Sequence, residues 1–173
     1  DLSYKIAPII NSAGRLENAN QVVEMLTTKS KKDITNIISK IYNLNDKRKL
    51  IEKRILDKFN FKDFYEQSGV IFIYNPFIHE GIIGIIASRI KEYYNKPCIV
   101  LTNSGNLLKG SARSTYNFNI GEFIGKALNK KIIVKGGGHN LAAGITLLKE
   151  KFDIFKKFIN NNDDKECKLN KNF

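Results

Sequence analysis

Apolar positions along the chain change their period near residue 70. Upstream they recur every three to four residues; downstream, short blocks of consecutive apolar residues alternate with helical stripes. Residues 1–16 carry neither pattern. Pro8 and the small, polar run Asn11-Ser12-Ala13-Gly14-Arg15 predict irregular, turn-like chain there. Leu16, Ala19, Val22, Val23 and Leu26 share one helical face, which predicts a short helix from about Glu17 to Leu26. Residues 31–59 then read as one long helix with no internal Gly or Pro, capped by Ser30 with Asp33 three residues on. At 1.5 Å per residue it would reach about 40 Å, a length suited to joining two domains. The polar stretch Asn45-Asp46-Lys47-Arg48-Lys49 interrupts its apolar face, so a broken helical hairpin is the alternative.

From Val70 the pattern predicts strand 70–74, helix 82–94, strand 97–102, a turn at 104–106 and strand 107–112. Helix 120–128 follows, then a short strand 131–134 leading into Gly136-Gly137-Gly138, strand 143–147 and a terminal helix 149–159. Alternating strands and helices make this an α/β domain with a mixed β-sheet and flanking helices. The expected organisation is a connector with a long helix over 1–69, an α/β domain over 70–159 and a flexible tail over 160–173, rich in Asn, Asp and Lys.

Composition sharpens this only in part. The 173 residues carry a formal charge of +12 and are 42% hydrophobic, enough apolar material for a core. With 24 Lys, 25 Ile and 20 Asn, part of that charge reflects a general residue preference. Residues 70–148 are more informative, with nine basic side chains against Glu80, Glu92 and Glu122 alone. A basic surface poor in acids suits a polyanion such as nucleic acid. A merely solubilising surface explains the same count. Cys98 and Cys167 are too few for a thiolate metal cage and too distant in sequence for a redox pair, which fits a reducing, cytoplasmic setting. No stretch approaches the roughly 20 apolar residues that span a bilayer, so no membrane partner is expected. The sequence opens on Asp1 and not Met, which suggests part of a longer protein.

Three of the five arginines fall in short glycine-bearing segments: Arg15, Arg89 and Arg113. An arginine presents a rigid fork of donors suited to phosphate, which lysine lacks. Gly81 to Ala87 opens a helix and reads either as a phosphate-binding turn or as close helix–sheet packing. Gly110-Ser111-Ala112-Arg113-Ser114 reads as an anion cradle, with Ser111 and Ser114 donating beside Arg113, or else as a strand end whose Arg faces solvent. Gly136-Gly137-Gly138-His139 implies close backbone approach or positive φ, with His139 as a phosphate or leaving-group donor. His79 follows Phe77-Ile78 and is the weaker candidate. Two histidines and three glutamates at these spacings suit no divalent-metal site, so this chain is expected to bind no metal.

In order along the chain, these segments resemble the C-terminal half of the catalytic core of RecJ-type exonucleases. Those are single-strand-specific 5′→3′ DNA exonucleases of the DHH phosphoesterase superfamily. The residues that carry the resemblance are Ile10 to Leu16, His79 to Arg89, Gly110 to Ser114 and Gly136 to Gly144. It implies that Val70 to Phe158 is a DHHA1 domain, with residues 1–69 as connector and bridging helix. It also implies a DHH domain before Asp1 that holds Mn2+ or Mg2+, and single-stranded DNA as partner, in DNA repair and recombination. Arg89, Ser111, Arg113, Ser114, Gly136, Gly137, Gly138, His139 and His79 would contact DNA, with His139 and Arg113 assisting catalysis in the full enzyme. Asn11 and Arg15 would line an interdomain cleft. The family commonly places an aromatic residue, often Trp, where this chain has Ile78. Tyr74, Phe77, Tyr116 and Phe118 are the remaining candidates for stacking on bases. A DHH-family phosphodiesterase acting on oligonucleotides or cyclic dinucleotides, and a stand-alone nucleic-acid binder, are the alternative functions.

Overall fold

The structure, a computed structural model, describes residues 5–59, 64 and 69–169, with side chains in the last stretch described as far as 161. It divides into two compact units between Lys58 and Phe59. The division falls before the expected boundary at Gly69, and aromatic packing accounts for the shift. Phe59 and Phe64 meet edge to face with centroids 5.5 Å apart, and Phe64 packs against Tyr94 of the second unit at 5.9 Å.

The first unit comprises α1 (Ala7–Leu16), α2 (Asn20–Thr27) and α3 (Lys31–Leu56). Helix α1 occupies a stretch expected to be irregular. Pro8 lies in the first turn, where a missing N–H costs nothing. The small residues that suggest a turn form instead a close-packing face. Ser12 and Ala13 are fully buried, and the Ser12 hydroxyl reaches the Ile41 carbonyl of α3 at 3.3 Å. A Cβ on Gly14 would come within 3.3 Å of Ala19, so the glycine lets the α1–α2 corner close. Helix α3 is unbroken, capped by the Ser30 hydroxyl accepting from the Asp33 N–H at 3.3 Å. The polar middle that suggested a break is a buried ladder along one side. Arg48 donates to Glu52 at 3.2 Å and to Asn45 at 2.9 Å, and all three are at least nine-tenths buried.

The second unit holds a five-stranded sheet in the order β1-β2-β3-β5-β4. Its strands are β1 (Ile71–Tyr74), β2 (Cys98–Ser104), β3 (Leu107–Arg113), β4 (Lys135–His139) and β5 (Ala142–Leu148). Strand β1 runs parallel to β2, and every other pair is antiparallel. Gly105, at φ +59°, makes the β2–β3 turn. Helix α4 (Ile83–Tyr94) packs over β2 and β3 on one face. Helices α5 (Ile120–Asn129) and α6 (Phe152–Leu169) cover the other, where Ile99, Leu108, Ile145 and Leu147 meet Phe123, Phe155 and Phe158 in the core.

One expectation changes here. The strand expected at 131–134 lies instead at Lys135–His139 and consists of the glycines themselves. Ile133 is drawn into the core, and the Ile132 N–H caps α5 through the Ala127 carbonyl, so the β-prone residues turn a corner. The stretch expected to be a flexible tail from Asn160 is helical over most of its length. Helix α6 runs on to Leu169 with no Gly or Pro to stop it, and 170–173 lie outside the described residues.

Candidate nucleic-acid interface

Strand register places the glycine segments on one surface. Arg113 and His139 both pair with Ala142, and Ser111 and Gly137 both pair with Gly144. Residues in one cross-strand row point to the same face, so Ser111, Arg113, Gly137, Gly144 and His139 share the face that α4 packs on. Along β5 burial alternates strictly. Ala143, Ile145 and Leu147 are buried, whereas Ala142, Gly144, Thr146 and Leu148 lie on the more open side. Ideal Cβ atoms on Gly137 and Gly144 would have nothing within 4 Å. The surface is thus a shelf floored by bare backbone, with Arg113 and His139 two strand spacings apart, about 10 Å.

Arg113 is held rigidly at the edge of that shelf. Its Nη1 donates to the Ser111 hydroxyl at 2.9 Å and to the Ala112 carbonyl at 2.8 Å. Gly84, in the first turn of α4, makes room for it. A Cβ there would stand 3.0 Å from both Arg113 Nη2 and Ser111 Oγ. Beyond Gly84 the same face of α4 carries Ser88 and Lys91 and leads to the C-cap Asn95, and these with Arg113, Ser114, Thr115, Tyr116 and Leu141 line a groove of about 460 Å³. Glu92 also stands on its rim. The Gly81 to Ala87 segment therefore serves close packing, and what packs into the gap is the arginine. Ser88, Lys91 and Asn95 were not legible as site residues. Their spacing from Gly84 as a polar stripe on an otherwise apolar helix was the available signal.

The glycine strand serves His139. None of Gly136, Gly137 and Gly138 has positive φ, so close approach is what requires Gly136 and Gly138, while Gly137 faces open space. A Cβ on Gly136 would lie 2.5 Å from Ile133, and one on Gly138 would overlap the Ala142 carbonyl. Gly121 in α5 lets that helix approach the His139 backbone, since a Cβ there would come within 2.9 Å of the His139 carbonyl oxygen. The Leu141 N–H donates to His139 Nδ1 at 3.3 Å, so the imidazole carries its proton on Nε2 and presents a donor on its far side. His139 is exposed.

The other candidates are placed differently. Ser114 lies at the groove but is buried, with its hydroxyl donating to the Phe118 carbonyl at 2.6 Å. It fastens the loop behind Arg113. Arg89 lies off the groove stripe, exposed, and pairs with Glu92 at 3.6 Å. His79 accepts from the Gly81 N–H at 3.1 Å and shapes the turn into α4. Asn11 and Arg15 belong to the first unit, four residues apart on α1. Burial holds the Arg15 guanidinium below its usual pKa, with repulsion from Arg48 adding and attraction to Glu52 opposing. Of the stacking candidates, Phe118 is core and Tyr74 donates its hydroxyl to Asn103, whereas Phe77 and Tyr116 are more than nine-tenths exposed.

The three acids of residues 70–148 each stand beside a cation. Glu80 pairs with Lys109 at 3.0 Å, Glu92 with Arg89 and Glu122 with Lys126 at 3.3 Å. Hydrogen bonds from Ser104 and Lys109 hold the Glu80 carboxyl below its usual range. Among the described residues no group of three or more His, Cys, Asp or Glu could hold a metal ion. None of their helices is long and apolar enough to cross a membrane.

Comparison with known proteins agrees with this fold. Residues 67–162 match the DHHA1 domain family. The single-stranded-DNA-specific exonuclease RecJ of Haemophilus influenzae is 33% identical over 169 residues, 92% of this chain and 29% of the relative. RecJ of Escherichia coli is 31% identical over 166 residues, 91% of this chain and 29% of the relative. The crystal structure of Thermus thermophilus RecJ in complex with Mn2+ superposes with a TM-score of 0.84 at 27% identity, over 95% of this chain and 24% of that one. The chain spans less than a third of the length of these relatives. A family match that takes in the whole sheet, with α4 on one face and α5 on the other, identifies the chain as a member of the DHHA1 domain family, in its RecJ-like form.

Proposed function

We propose that this chain is the strand-holding, cleft-closing part of a 5′→3′ single-strand DNA exonuclease that works in DNA repair and recombination in the cytoplasm. The observation that carries the reading is the seating of Arg113 beside a floor of bare glycine backbone. The guanidinium, with Nη1 occupied by Ser111 and the Ala112 carbonyl, is oriented before any ligand arrives, which lowers the ordering cost of gripping a phosphate. Gly137 and Gly144 admit a sugar–phosphate backbone to van der Waals contact where any side chain would hold it off. His139 offers a second donor, through Nε2, about 10 Å from Arg113. Pairing of Glu80 with Lys109 leaves less negative charge to repel the strand.

Among the described residues no group of three or more His, Cys, Asp or Glu is placed to hold a divalent cation. Hydrolysis in the longer enzyme is assigned to a DHH domain, N-terminal to this chain, that holds Mn2+ or Mg2+. The contribution of this chain is binding and orientation.

The test is equilibrium binding of a fluorescein-labelled oligo(dT) to this chain between 50 and 200 mM salt, with a cleavage assay in Mn2+ alongside. Weak binding that falls as salt rises, without cleavage, is the expected result. Cleavage by this chain alone, or no binding at low salt, overturns the proposal. In the longer enzyme, Arg113→Ala and His139→Ala should abolish exonuclease activity without unfolding it.

A further inference from the structure

The groove beside Arg113 contains an aromatic ring that neither core packing nor the phosphate grip explains. Tyr116 is 92% exposed, three residues beyond Arg113, and lines the same groove. Exposing a whole tyrosine ring forfeits its burial, so the ring's surroundings decide whether it is incidental. Here they are rigid. The Phe118 N–H closes a turn on the Thr115 carbonyl at 3.2 Å, which puts Tyr116 at the first of the two central positions. Both ends of that turn are fastened. The Ser114 N–H donates to the Leu141 carbonyl at 2.9 Å, and its hydroxyl donates to the Phe118 carbonyl. The Phe118 ring is buried against Phe123 at 5.3 Å. The buried serine and phenylalanine thus hold up the turn that displays the tyrosine.

We propose that Tyr116 is the stacking platform for the base of the nucleotide whose phosphate Arg113 grips, so that the groove holds one nucleotide of a single strand. The inference rests on the proposed function and adds to it the base-contacting residue. A groove of about 460 Å³ is within the range of small-molecule sites, which suits one nucleotide. Every base offers a π-face, so a tyrosine at this point holds any sequence, and Arg113 and Lys91 supply the cations for the backbone. The other exposed loop aromatic, Phe77, does not compete for this role. It follows Tyr74, which pairs with Leu101, whereas Arg113 pairs with Cys98 at the opposite end of that ladder. Tyr74 itself packs on Phe152 with centroids 4.9 Å apart.

The test uses this chain with two labelled strands of equal length and charge, oligo(dT) and an abasic oligonucleotide. The variants are Tyr116→Phe, Tyr116→Leu and Tyr116→Ala, each checked by circular dichroism. The sequence has no Trp and seven Tyr, so the part of the tyrosine quenching by oligo(dT) that Tyr116→Phe removes reports stacking at this position. Tyr116→Ala and Tyr116→Leu should lose about tenfold in affinity for oligo(dT), as removal of one base–aromatic stack does, and keep their affinity for the abasic strand. Tyr116→Phe should bind both strands as the wild type does, and the salt slope should be the same in every variant. Oligo(dT) affinity of Tyr116→Ala within twofold of wild type, or an equal loss on both strands, overturns the stacking role and leaves the proposed function standing. Failure of the wild-type chain to bind either strand removes both.

Discussion

Gly84→Ala separates the seating of Arg113 from the stability of the domain. The substitution falls in the first turn of α4, where φ is helical. Replacing a helical glycine with alanine favours folding by about 1 kcal/mol. Against this, the new methyl would stand 3.0 Å from both Arg113 Nη2 and Ser111 Oγ, closer than a carbon comfortably approaches either. The atoms that can yield are the ends of those two side chains, because α4 is fixed by buried Ile83, Ile86 and Ile90. Displacing the guanidinium sacrifices its bond to Ser111, about 1 kcal/mol. The two effects nearly cancel, so the denaturation midpoint should move little. Phosphate binding has no such compensation. A charge-assisted hydrogen bond contributes about 1.5–3 kcal/mol, so oligo(dT) affinity should fall about tenfold or more. Loss of one phosphate contact should also reduce the slope of log K against log salt by about 0.7. Urea titration followed by circular dichroism gives the stability, and fluorescence anisotropy across a salt series gives both binding quantities. If Gly84→Ala binds as the wild type does while Arg113→Ala fails, Gly84 does not seat the arginine. If neither variant loses affinity, Arg113 is not a phosphate contact.

Adjacent glycines of β4 should respond differently to alanine. Gly138→Ala would drive a Cβ into the Ala142 backbone and should cost about 3 kcal/mol, whereas Gly137→Ala meets open space and should leave the urea midpoint nearly unchanged; equal costs would refute the close-approach argument. In α3, Glu52→Ala leaves Arg48 buried without its carboxylate and should destabilise the first unit by about 3 kcal/mol. The double change Arg48→Met with Glu52→Leu should recover most of that loss, and thermal melts of single and double variants measure the difference. Cys98 is wholly buried, and burial pushes its thiol well above the ordinary pKa, so with Cys167→Ser in place its labelling by an aromatic disulfide at pH 8 should proceed only as fast as the domain unfolds.

Most elements were legible because local physics dictates them. The apolar stripe of α4, the buried runs of β1 and β2 and the cap of α3 each state their conformation within about ten residues. Where the reading failed, residues took their conformation from distant neighbours. Ser12, Ala13 and Gly14 spell a turn by composition and form a helix because α3 and α2 lie against them. Ile132, Ile133 and Val134 favour a strand by propensity, but the core claims Ile133 and shifts the strand onto three glycines.

The candidate site divides along the same line. By itself the sequence determined the fold class and the scarcity of acids, and it singled out Arg113 and His139 as candidates, since glycine, arginine and histidine in short runs carry their chemistry wherever they fold. It could not determine that Ser114 turns inward to hold a loop, that Arg89 stands off the groove, or that Gly84 is shaped around an arginine 29 positions later. Those outcomes depend on strand register, which puts β3 beside β5 and so brings Arg113 and His139 to one row across Ala142. Register is settled by which face of the whole sheet is buried, and no short stretch of sequence contains that information.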